Sequence, residues 1–141
     1  MKKYKYPTLE AIKSICDKYD LAPPEQFSQD WEHEASDPKK LPAVLRGYEQ
    51  NDLDNEEKFA LGAFILTSFD EAYTQGIEPE DAWEKISNFL KKDRLIHQHS
   101  IHYWCSWDHS EDEIDDAFAI TPLMRELKMS SPEESEEWFN N

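Results

Sequence analysis

Apolar residues recur along most of this chain at spacings of three and four, the repeat of a helix with one buried face. Thr8 is placed to cap a first helix on which Leu9, Ile12, Ile15, Cys16 and Tyr19 align, ending before Pro23-Pro24. A second helical stretch starts near Pro24, puts Phe27, Trp31 and Ala35 on one face, and is interrupted at Ser36-Asp37-Pro38. Leu41 to Gln50 reads as a short helix carrying Val44, Leu45 and Tyr48, with Pro42 near its start and Gly47 weakening its propensity. Asp54 is a good N-cap for the longest helix, with Leu53 before it as a staple residue and Glu56 and Glu57 suited to the positive end of the helix dipole.

Phe59, Leu61, Ala63, Phe64, Ile65, Leu66 and Phe69 are apolar nearly all round that helix, so it should be enclosed by the others. Gly76 offers a left-handed C-cap, with Ile77 where a Schellman contact places an apolar residue. Pro79 starts the next helix, whose stripe is Ala82, Trp83, Ile86, Phe89 and Leu90, and Lys91, Lys92 and Arg94 gather at its far end. Leu95 to Trp107 reads as a helix, with a short strand as the alternative because histidines and aromatics lower helix propensity there. Ile114 and Ala117 to Ile120 return to the core; Thr121-Pro122 cap and open a helix to about Lys128, and Ser131-Pro132 repeats that opening. With three glycines, no Asn-Gly or Asp-Gly hairpin signal and no sustained period of two, strands are not expected. The expectation is an all-α fold: a single-domain compact bundle of about six to seven helices over residues 1–141, with 129–141 as a short terminal helix or a flexible tail.

At 141 residues the chain is long enough to bury one core unaided. Two cysteines, Cys16 and Cys105, cannot form the disulfide framework of a small secreted domain, and the basic opening lacks the apolar stretch of a leader peptide. A cytoplasmic location is therefore expected. The formal net charge of −16 disfavours a nucleic-acid backbone or an anionic lipid surface as partner. That charge is uneven: residues 1–40 carry seven basic and eight acidic side chains, residues 108–141 two and eleven. Six of the nine residues from Asp108 to Asp116 are acidic, namely Asp108, Glu111, Asp112, Glu113, Asp115 and Asp116, and they follow directly on Tyr103, Trp104 and Trp107. Rigid rings beside a negative tract suit the grip on a basic protein, the rings as desolvated anchors and the acids as a steering field.

Chemistry-bearing constellations are few. His97, His99, His102 and His109 surround Cys105, and on a helix His102, Cys105 and His109 are spaced to approach one metal ion, without matching a zinc signature. Cys105 beside His102 or His109 is also the only nucleophile–base pairing of note, and no oxyanion glycines or nucleophile elbow accompany it. The acidic tract lacks the central glycine of an EF-hand loop, and no phosphate-binding glycine loop occurs. No catalytic residue, cofactor or resident metal is therefore assigned.

The stretches AFILTSFDEA (63–72), AWEKISNFL (82–90) and DDAFAITPLMREL (115–127) resemble those of bacterial immunity proteins, including those paired with contact-dependent or polymorphic toxins. The resemblance is at the level of the class, covers about the last half of the chain and carries over no functional residue. It implies a non-enzymatic protein, monomeric when free, that binds a cognate basic toxin 1:1 and covers its active-site groove, a nuclease being the toxin class that fits an anionic inhibitor. The alternative is a small metal-binding or regulatory adaptor domain using the His/Cys cluster at 97–109.

Overall fold

A computed structural model gives the architecture and describes residues 4, 6–23, 31–50, 52–77, 81–105 and 118–129. Among these residues there are seven α-helices, a single 3-10 turn and no strand: α1 Leu9–Tyr19, α2 Trp31–Ala35, α3 Leu41–Gln50, α4 Asn55–Thr74, α5 Ala82–Lys92, α6 Arg94–Cys105 and α7 Thr121–Met129. The all-α expectation is met, and Leu95 to Cys105 is helix, not strand. No helix among the described residues is long and apolar enough to cross a membrane.

Each helix start has a local cause. The Thr8 hydroxyl accepts from the Ala11 N–H at 3.1 Å and caps α1. Asp37 caps the 3-10 turn Pro38–Lys40, which runs straight into α3. Asp54 and Glu57 form a reciprocal capping box on α4: Asp54 Oδ1 accepts from the Glu57 N–H at 2.8 Å, and Glu57 Oε1 from the Asp54 N–H at 3.1 Å. The free oxygen of Glu57 also accepts from Ser14 Oγ and Lys18 Nζ of α1, both at 2.6 Å. Burial alone would raise the Glu57 pKa, but these donors more than offset it and hold the carboxyl at about 2.

At its other end α4 stops in the Schellman arrangement expected at Gly76, whose φ of 73° suits a residue without a Cβ. Ile77 N–H reaches Ala72 O at 2.9 Å and Gly76 N–H reaches Tyr73 O at 3.2 Å, although the Ile77 side chain stays exposed. The described part of α5 starts at Ala82, after Asp81 in a left-handed conformation; Pro79, expected to open it, lies outside the described residues, as does the expected start of the second helix near Pro24. Thr121 does not cap α7 with its side chain. Its hydroxyl donates instead to Trp104 O at 2.8 Å, so it ties α7 to the end of α6.

Burying α4 on all sides positions everything else. Phe59, Leu61, Phe64, Ile65, Leu66 and Phe69 are buried, and α4 packs against α1, α2, α3, α5 and α6. Trp31 of α2 stacks toward Phe64 with ring centroids 5.7 Å apart and donates its indole N–H to Ala22 O at 2.8 Å. Trp83 of α5 stacks on Phe69 at 5.9 Å. Gly47, a weak helix former by propensity, is where α3 passes close to the Tyr19 ring of α1, and a Cβ there would collide with that ring. α7 packs on α6 alone among its principal neighbours.

Candidate functional site

α6 carries a group of polar and aromatic side chains at each end, and the two groups differ in access. At the N-terminal end His97 is fully buried. Its Nε2 lies 2.7 Å from Tyr48 Oη, and Tyr48 Oη lies 2.7 Å from Asp93 Oδ2. With the Tyr48 proton donated to the Asp93 carboxylate, the phenolic oxygen accepts from His97, so His97 is the neutral tautomer protonated on Nε2. Its Nδ1 has no hydrogen-bond partner. The ring faces Gly62 of α4, where an added Cβ would stand 2.5 Å from Cε1 and 2.8 Å from Nδ1; glycine is what lets the imidazole fit.

Phe89 closes the group, stacked on Tyr48 at 4.2 Å and edge-on to His97 at 5.2 Å. Burial, partly opposed by Asp93, pushes the His97 pKa down to about 3, and burial together with Asp93 pushes the Tyr48 phenol well above its ordinary value. A cavity of about 270 Å³ opens beside this group, lined by Lys58, Lys85, Lys92, Glu49 and Asp93 among others. Tyr48 and Asp93 reach its wall and His97 does not, so the imidazole is sealed from whatever occupies the cavity.

The C-terminal end of α6 is open. Tyr103 is 45% exposed, while Trp104 is only 3% exposed and supports it from inside, the two rings meeting edge to face at 5.5 Å. Phe118 packs on Trp104 at 4.4 Å and on Tyr103 at 5.2 Å; His33 of α2 lies 6.4 Å from Tyr103 and 6.1 Å from Trp104. Two carbonyls in the last described turn of α6 receive donors from α7: Thr121 Oγ1 donates to Trp104 O and Arg125 Nε to Cys105 O, the latter at 2.7 Å. Asp70 of α4 accepts from the Ile120 N–H at 3.1 Å and fixes the chain just before α7. The aromatic group is thereby held from α2, α4 and α7 at once.

A cleft of about 150 Å³ runs along this end, lined by Tyr6, Glu32, His33, His99, Tyr103 and Trp104 among others. Tyr6 is 80% exposed at its rim.

Of the residues singled out by sequence for partner binding, Tyr103 and Trp104 are thus brought together, Tyr103 on the surface and Trp104 beneath it as a packed brace. Trp107, Asp108, Glu111, Asp112, Glu113, Asp115 and Asp116 lie outside the described residues. So does His109, the third member of the metal arrangement. Cys105 is buried and His102 exposed, so on α6 those two point apart. Burial pushes the Cys105 thiol up to about 12, against the milder pull of Lys128 and Arg125, which keeps it an inert packed group at neutral pH. Among the described residues no three His, Cys, Asp or Glu side chains are placed to share a metal ion. Sequence reasoning missed Glu32, His33 and Phe118 at the open end and the Tyr48–Asp93 pair at the closed one. Only their distance in sequence hides them, since no local spacing links residue 33 to 103 or 48 to 97. No protein family, curated protein or solved structure matches the chain.

Proposed function

We propose that this chain is an immunity-type inhibitor that binds a basic protein toxin non-covalently and blocks its substrate groove. The observation that carries the reading is the braced, half-exposed Tyr103 at the end of α6, only five residues before the first acid of the Asp108–Asp116 tract. A ring held by Trp104, Phe118 and His33 loses little freedom on binding, which is what makes an aromatic side chain an effective anchor. The carboxylates that follow in the chain give the long-range field. A toxin that handles polyphosphate has a positive groove, and an anionic inhibitor both accelerates encounter, toward ~10⁸ M⁻¹s⁻¹ at low salt, and excludes the substrate. The fold supplies rigidity at the contact and the tract supplies charge.

The test is co-expression with the reading frame immediately upstream of its own gene, measuring growth, complex stoichiometry and association rate. Wild-type protein should restore growth and form a 1:1 complex. Replacing Asp108, Glu111, Asp112, Glu113, Asp115 and Asp116 together by their amides should slow association about tenfold or more at low salt and flatten its salt dependence. An unchanged association rate removes the tract from the mechanism; no growth rescue and no complex sink the reading.

A further inference from the structure

The cleft at the open end of α6 contains a group that the fold leaves unfinished. Glu32 lines it, and Glu32 Oε2 is buried with no hydrogen-bond partner. An acceptor withdrawn from water and left unpaired is costly, and more so on a carboxylate, so such an atom is the natural seat of a donor brought by a ligand. The same cleft is walled by the rings of His33, Tyr103 and Trp104, which already contact one another.

A carboxylate oxygen beside aromatic rings is the donor–acceptor set that receives a cationic side chain: the charge pairs with the carboxylate and lies against the ring faces. At about 150 Å³ the space admits one side chain and not a helix or strand. Of the two cationic side chains, arginine fits better, because a flat, weakly hydrated guanidinium can hydrogen-bond in its plane and stack on a ring above it, whereas an ammonium keeps its water. The formal charge of −16 on the whole chain draws cations toward any such opening.

We infer that the cleft formed by Glu32, His33, Tyr103 and Trp104 is a receptor for one arginine side chain projecting from a basic protein partner. This rests on the reading that the aromatic end of α6 is the contact surface. It adds the chemistry that a partner must present there: an arginine whose guanidinium completes the hydrogen bonding of Glu32 while its stem covers Tyr103. The acidic tract then governs the speed of encounter, and the cleft the lifetime of the complex.

The assignment can be tested without any partner. The full-length, isotope-labelled chain is titrated at low salt with N-acetyl-arginine amide, its neutral isostere N-acetyl-citrulline amide and N-acetyl-lysine amide, following backbone amide shifts. The arginine probe should give saturable, millimolar-range shifts centred on Glu32, His33, His99 and Tyr103, with little response to citrulline and weaker response to lysine. Glu32→Gln keeps the shape of the side chain and should weaken arginine binding about tenfold while its remaining spectrum overlays the wild type. Equal shifts with citrulline, unchanged binding by Glu32→Gln, or arginine shifts confined to other surfaces overturn it, and lysine binding as tightly as arginine overturns the guanidinium assignment. Growth rescue by the wild type with no arginine site would discard the cleft and keep the inhibitor, whereas an arginine site without rescue would do the reverse.

Discussion

The two ends of α6 use the same kinds of side chain to opposite effect. At one end His97, Tyr48 and Phe89 meet with Asp93 in a closed group, with the imidazole fully buried and a glycine cut to its shape. At the other, His33, Tyr103, Trp104 and Phe118 meet at comparable ring distances, yet Tyr103 faces water and Glu32, which lines the adjoining cleft, keeps one carboxylate oxygen without a hydrogen-bond partner. Composition therefore does not tell an enclosed aromatic–histidine group from an open one. What separates them is whether the surrounding helices close over it: α3, α4 and α5 do so around His97, whereas α2 and α7 only flank Tyr103.

That contrast should break most visibly in acid. His97 has its folded pKa lowered from 6.5 to about 3, so the unfolded chain takes up a proton that the folded one refuses. The stability this group contributes is complete above about pH 6.5 and is lost as the pH falls toward 3; Glu57, depressed from 4.5 to about 2, adds a second loss over the lower part of that range. Urea unfolding across this range should show stability declining from pH 6.5 downward, with the same slope in Tyr103→Ala as in the wild type. A curve flat between pH 7 and 4 would contradict the sealed, neutral imidazole.

Tyr48→Phe is the next largest effect. It removes the hydroxyl between His97 and Asp93 with almost no change in shape, leaving a buried Nε2–H without an acceptor, and should destabilise by about 1–3 kcal/mol in chemical denaturation. A change under about 0.5 kcal/mol would mean that the hydroxyl bridges nothing of consequence. The smallest effect on folding belongs to Tyr103→Ala, within about 1 kcal/mol because its ring is half in water, although the same change should weaken the complex with the partner by about 2 kcal/mol in calorimetry. Should Tyr103→Ala unfold the chain while Tyr48→Phe does not, the roles of the two ends would be exchanged.

Features decided within a few residues were legible in the sequence. Thr8, Asp54 and Gly76 each act through neighbours two to four positions away, and each does what its residue type and place dictate. The apolar girdle from Phe59 to Phe69 likewise announced an enclosed helix, because no amphipathic arrangement could leave those residues dry. Thr121 shows the limit. Its place before Pro122 signals a cap, but the carbonyl it meets belongs to Trp104, seventeen residues earlier, and that competition is decided by how α7 lands on α6. His97 was one of several histidines in a row until Tyr48, 49 positions away, and Gly62 enclosed it. Half of the open site was visible as Tyr103 and Trp104; the half contributed by α2 was not, since nothing in Trp31-Glu32-His33 points to α6.

One carboxylate described above links events that a helix-by-helix view would keep apart. Glu57 spends one oxygen on the first turn of α4 and the other on Ser14 and Lys18 of α1. Unwinding that turn releases both donors, and peeling α1 away strips the turn of its best reason to stay wound. The amides of α1 and those opening α4 should therefore surrender their protons to deuterium together, as one cooperative unit joined through a single side chain.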